Sequence, residues 1–293
     1  MYAWLVPGLA AMLLATVQVS PARADPPLWR VSDADTEMVL FGSVHALPPG
    51  VDWRTEDLDR ALASADLVVF EIVTPDTEEE EMAMILPMMR YIIGMQPLSA
   101  TVSGPTFARA RLAAEALDLE PGVLEMFRPW AAAFMLEMGA DEAKGRSGDL
   151  GVDTILETGL RDDQRTEALD TDALLHASMA ALAEDGDAEG EALLIEVLDS
   201  LDEADDALDM EMENAWLVGD LEPIRAEMAS MKVEAPGLYQ VLMTDRNHGW
   251  MPALRRMMET EGRVVVIVGV AHMVGEDGLP TLLRQAGYTV EGP

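Results

Sequence analysis

Three short runs of the chain are apolar almost without interruption. Residues 37–41 lead into Gly42, residues 67–72 are apolar apart from Glu71, and residues 264–268 are five β-branched residues in a row. Continuous runs of this kind predict central strands covered on both faces. Flanking strands are expected at 28–31 and 288–291. From about residue 61 to 264 the period is mostly helical, with amphipathic stretches at 105–117, 123–137 and 172–183. A long acidic helix is expected over 191–216 and another over 238–261. Strands at both ends around a helical middle predict a mixed α/β fold, with an α/β core and an inserted, largely helical lobe at about 76–262.

The N-terminus departs from this pattern. Residues 4–19 are almost all apolar or small, and Ala22-Arg23-Ala24 has the small-x-small form of a leader-peptidase site. The run is shorter than the ~20 residues of a spanning helix, and Pro7-Gly8 interrupts it. The expectation is a signal peptide at 1–24, a single domain at 25–293, and a periplasmic or secreted protein, tethered to the membrane if the leader stays.

Composition narrows the chemistry. The 293 residues carry 54 acidic and 19 basic side chains, a formal net charge of −35, and no cysteine. Such acidity argues against nucleic acid as a partner, because that affinity rests on Lys and Arg neutralising phosphates. With 49% hydrophobic residues the chain can still bury a sizeable core. The lack of cysteine excludes disulfides, thiol nucleophiles and iron–sulfur clusters. Any chemistry must come from oxygen and imidazole.

The charge is also uneven: residues 166–224 contain no Lys or Arg. A solvated helical face is the plain explanation. A sharper one is a calcium loop with Asp185, Asp187, Glu189, Gly190 and Glu196 at the ligand and glycine positions. Met82, Met84, Met88, Met89 and Met95 crowd one segment. Core packing is the default for them, and a lid or a groove for a peptide-like partner is the alternative.

Two of the four histidines share one setting. His45 ends Gly42-Ser43-Val44-His45 and His272 ends Gly269-Val270-Ala271-His272, each straight after an apolar strand. A Gly-x-x-His turn at the carboxyl edge of a buried strand projects imidazole into the crevice where open α/β sheets bind ligands. Glu71 ends the third run, where an unpaired carboxylate is costly. Two imidazoles and a carboxylate suit a divalent transition metal with positions left for water, and hence hydrolysis. Without metal, a His/Glu pair can act as general base on water. Arg246, on a helix before the last central strand, can hold a carboxylate or an oxyanion. His176 reads as structural, and His248 as a neighbour of the site rather than a ligand.

These residues, with Leu28-Trp29-Arg30, Leu47-Pro48-Pro49, Gly151-Val152-Asp153, Gly219-Asp220, Asp245-Arg246-Asn247 and Met273-Val274-Gly275, give a chain that resembles the TraB/GumN family. That family includes the Tiki-type proteases, which remove residues from secreted signalling proteins. The resemblance implies a central sheet built from two pseudo-equivalent halves, each giving one Gly-x-x-His, and a metal-dependent peptidase-like site. Carried over, the site is His45, Glu71, Arg246 and His272, with Asn247 supporting on the substrate side and His45, Glu71 and His272 as metal ligands. Where relatives have Leu-Glu-Thr, this chain has Leu169-Asp170-Thr171, a shorter carboxylate. The expected function is an exported metal-dependent hydrolase acting on a peptide or protein. Two alternatives stay open: a non-catalytic periplasmic peptide- or pheromone-binding protein, and a metal-free, esterase-like hydrolase.

Overall fold

The computed structural model describes residues 25–34, 36–75, 77–203, 206–260 and 262–293. The expected leader, 1–24, lies outside them. The sheet forms from β1 (Leu28–Ser32), β2 (Glu37–Ser43), β3 (Leu67–Phe70), β4 (Thr166–Ala168), β5 (Arg263–Gly269) and β6 (Thr289–Glu291), in the order β4-β3-β5-β2-β1-β6. β4, β3, β5 and β2 run parallel, and β1 and β6 extend the β2 edge antiparallel. β2 and β5 are buried from their second residue onward, as their uninterrupted apolar sequences require. Ser43 faces Gly269 and Phe70 faces Ile267, so the parallel strands end at one edge.

The helices are α1 (Glu56–Ser64), α2 (Glu78–Ile92), α3 (Leu98–Thr101), α4 (Gly104–Ala116), α5 (Pro121–Leu124), α6 (Pro129–Ala143) and α7 (Val152–Thr158). They continue with α8 (Asp172–Glu203), α9 (Asp206–Leu217), α10 (Glu222–Glu234), α11 (Pro236–Tyr239), α12 (Arg246–Thr260) and α13 (Leu279–Gln285). The main core surrounds the sheet and includes Trp29, Phe41, Phe70, Trp216 and Trp250. A second core, around Leu98, Leu136 and Leu194, holds α4, α6 and α8 together in the helical lobe.

The mixed α/β expectation holds, with local corrections. The helix expected over 123–137 is broken between α5 and α6. Pro129, which has no N–H to donate, starts α6 instead of continuing α5. The stretch 172–183 does not end there, because α8 runs unbroken to Glu203. That overturns the calcium loop, which needs an open turn where the helix continues. Of the loop's candidate ligands, Glu189 instead accepts from Leu238 N at 3.0 Å, a donor at the start of α11. β4 was not foreseen. Its three residues carry too little apolar pattern, and pairing with β3 creates the strand. Of the Met-rich segment, Met88 is buried, whereas Met82 is half exposed and Met95 almost fully so.

Candidate functional site

Each of the four parallel strands delivers a side chain at its carboxyl end. β2 leads to His45, β3 to Glu71, β4 to Asp170 and β5 to His272. Backbone pairing continues past β3 and β4, with Asp170 N donating to Glu71 O at 2.8 Å, which fixes the two carboxylates as neighbours. The helix entering α12 is distorted: residues Gln240–Asp245 form a π turn immediately before Arg246. Such turns reset helical phase and are frequent at functional sites.

Arg246 is the hub. Its Nη2 donates to Glu71 Oε2 at 2.5 Å and to Asp170 Oδ2 at 2.7 Å, and its Nη1 lies 3.3 Å from His272 Nε2. The guanidinium also stacks 4.7 Å over Trp250, whose indole N–H donates to Asp170 Oδ1 at 2.7 Å. Burial opposes charge on Arg246, but Glu71 and Asp170 outweigh it and hold its pKa above the ordinary value. Burial likewise opposes ionisation of Glu71. At the acid pH where Glu71 titrates, the charges of His272, Arg246 and His45, with the Gly269 N–H donating at 2.7 Å, bring its pKa down to about 2. So low a value makes Glu71 a permanent anion and a poor proton acceptor.

The two histidines are held alike but exposed differently. His45 Nδ1 meets Asp153 Oδ2 at 2.8 Å, and its side chain is 62% exposed. That hydrogen bond raises its pKa, against partial desolvation. His272 is buried, with its ring 4.6 Å from that of Trp250. Desolvation, helped by the Arg246 cation, lowers its pKa to about 4, so it is neutral at neutral pH. Its Nδ1 meets Asn247 Oδ1 at 2.8 Å, while Asn247 Nδ2 donates to the carbonyls of His272 and Asp277 at 3.3 and 2.8 Å. With its amide nitrogen committed to two carbonyls, Asn247 can only accept from His272. The His272 proton therefore sits on Nδ1, and Nε2 carries a lone pair. Nε2 of each histidine then lies 3.8 Å from the same Glu71 Oε1.

The expected quartet His45, Glu71, Arg246 and His272 is thus assembled in one place. Asn247 lies beneath His272, 1% exposed, and not on the open wall expected of a substrate contact. Asp153 and Asp170 are additional members. The sequence signals for them were faint: Asp153 follows a Gly-Val pair, and Asp170 was legible only as a departure from a pattern. Gly151 lets the Asp153 segment approach, because a Cβ there would lie 2.2 Å from the His45 carbonyl oxygen. His248 lines a separate groove of about 670 Å³ on another face of α12, with Arg255 and Arg256, and does not neighbour the site. His176 packs edge-on against Tyr91.

Nε2 of two imidazoles and one anionic oxygen are the donor types a divalent transition metal takes. The outer partners also fit, since a ligating histidine usually gives its other N–H to a carboxylate or carbonyl. Ligand atoms sharing a tetrahedral ion lie roughly 3.4 Å apart, so the 3.8 Å spacings are wider by a few tenths of an ångström. Among the described residues no group of three His, Asp or Glu side chains is already closed to holding distance.

His45, Glu71, Asp170 and Arg246 open into a cleft of about 400 Å³. No helix among the described residues is long and apolar enough to cross a membrane. In comparisons with known proteins, the model of the TraB/PrgY/gumN family matches residues 27–292. The chain is 24% identical over 248 residues to uncharacterized protein YbaP of Escherichia coli (strain K12), covering 84% of this chain and 87% of the relative. YbaP of Shigella flexneri matches to the same extent. No solved structure matches the chain significantly.

Proposed function

The chain belongs to the TraB/PrgY/gumN family, and from its cleft we propose that it is an exported hydrolase that cleaves peptide bonds with the help of a divalent transition metal. One observation carries the reading: both histidines have Nδ1 tied to an acceptor, and both Nε2 atoms lie 3.8 Å from the same Glu71 Oε1. His45, Glu71 and His272 would hold the ion. When bound, it would lower the pKa of a water molecule and polarise the carbonyl under attack.

The chain's own groups do the rest. Asp153 and Asn247 hold the two ring tautomers. Arg246 keeps Glu71 ionised and aimed, with Nη2 committed to two carboxylates and Nη1 3.3 Å from His272 Nε2. Asp170, 2% exposed as a side chain, anchors Arg246 through its guanidinium and through Trp250. Export is supported by the apolar run at 4–19 and the small-x-small site that follows it.

Metal content of the purified protein, measured beside hydrolysis of a mixed peptide library with and without chelator, tests the reading. Bound transition metal, chelator-sensitive cleavage and loss of both in His45→Ala support it. Protein that neither takes up metal nor loses activity on chelation would sink it. A second reading, a metal-free hydrolase, has one observation in its favour: exposed His45 pairs with Asp153 and has a raised pKa, the arrangement of an oriented general base. Chelator-resistant cleavage that is lost in Asp153→Asn would select it.

A further inference from the structure

The cleft has two unlike walls. α7 turns Asp153, Thr154 and Glu157 into it, at spacings that place them on one polar helical face. Glu157 is fixed there by accepting from Thr74 N and Oγ1, both at 2.8 Å. The cleft is also lined from α8 by Leu175, Ser178 and Met179, again one helical face, and by Leu242 from the π turn one helical turn before Arg246. Ile72, next to Glu71, is 42% exposed beside them. Met179 and Leu242 also pack on the core around Trp130 and Leu238, so this wall is backed by fixed structure.

We propose that Ile72, Leu175, Met179 and Leu242 form a specificity subsite that takes an aliphatic or thioether side chain of the substrate beside the bond to be cleaved. The proposal deepens the hydrolytic reading and rests on it for the position of that bond. Three features point to this class. The half-buried apolar side chains are solvated until something covers them, and an apolar side chain does so without stranding a polar group. The carboxylates of Asp153 and Glu157, which line the same cleft, disfavour an acidic side chain, as does the charge of −35. The subsite also adjoins the Glu71–Arg246 pair through Ile72 in the chain and Leu242 on the helix, so a side chain lodged there carries its backbone to the polar centre.

The test uses full-chain protein labelled at its methionine methyl groups, with the Met179 resonance identified from Met179→Leu. N-acetyl-leucinamide, N-acetyl-aspartamide and N-acetyl-lysinamide are titrated in turn. The expected result is movement of the Met179 methyl by the leucine probe at a concentration at least tenfold below that needed by the aspartate probe, the discrimination apolar pockets reach for small differences in side chain. Leu175→Glu, checked for an unchanged melting temperature, should weaken the leucine probe at least tenfold and strengthen the lysine probe. Equal response to all three probes, or none at Met179, overturns the proposal. The readout needs no turnover: binding without hydrolysis supports the subsite while counting against the hydrolytic reading. Hydrolysis with no side-chain preference overturns the subsite alone.

Discussion

At His272 three neighbours act on one proton. Asn247 fixes it on Nδ1, Arg246 disfavours a second on Nε2, and burial disfavours any charge on the ring. The consequence is acid sensitivity. The unfolded histidine takes its proton near pH 6.5, whereas the folded one refuses it until about pH 4. Across that window the unfolded chain binds more protons, so stability falls as pH falls. Glu71 continues the loss at lower pH: its folded pKa of about 2 lies below the ordinary 4.5, so its contribution is whole above 4.5 and fades below. In chelator-treated protein the urea midpoint should decline from about pH 6.5 to pH 4, and His272→Gln should flatten most of that slope. An unchanged slope in the variant would place the acid sensitivity elsewhere.

Among the elements, strand ends and tight packing set the site, and two glycines show how closely. A Cβ on Gly269 would stand 3.1 Å from His45 Nε2 and 3.3 Å from Glu71 Oε1, in the space the two imidazoles and the carboxylate share. Those side-chain atoms can give way, so Gly269→Ala should fold with little change in melting temperature yet lose metal uptake and hydrolysis together. Gly151 is different. There the added methyl meets the backbone carbonyl of His45, which cannot move without disturbing the Val152 N to Val44 O bond at 2.9 Å. Gly151→Ala should therefore cost about 1–3 kcal/mol, the usual range for overpacking, read as a lowered urea midpoint. A fully stable Gly151→Ala would mean that α7 can move away from β2.

For the molecule as a whole, the dominant fact is self-repulsion. A net charge of −35, with residues 166–224 lacking any Lys or Arg, sets α8 and its neighbours against one another electrostatically. A few contacts offset this, such as Arg109 reaching Asp199 and Asp202 at 2.6 Å each from α4. Salt should do the rest: raising sodium chloride from about 0.01 to 0.3 M shortens the Debye length from ~30 Å to under 10 Å. The melting temperature should rise over that range. A fall would mean that ion pairs contribute more than repulsion costs.

Much of this was legible in the order of residues. The three central strands are built on nearly continuous apolar runs, and burial on both faces leaves such runs few other states, so their existence and the chemistry at their ends were readable locally. The quartet His45, Glu71, Arg246 and His272 followed from strand-end position and from a resemblance. What could not be read depends on contacts across the chain. β4 is a strand only because β3 pairs with it, and Asp170 enters the site through that pairing. Asp153 reaches His45 from 108 positions along the chain because Gly151 lets α7 close in. Two histidines with the same Gly-x-x-His sequence end up with one exposed and one buried, one with its pKa raised and one lowered to about 4. The sequence determined which groups could do chemistry. Tertiary packing alone decided their protonation and orientation, because desolvation and the placing of hydrogen-bond partners belong to the assembled surroundings rather than to the local chain.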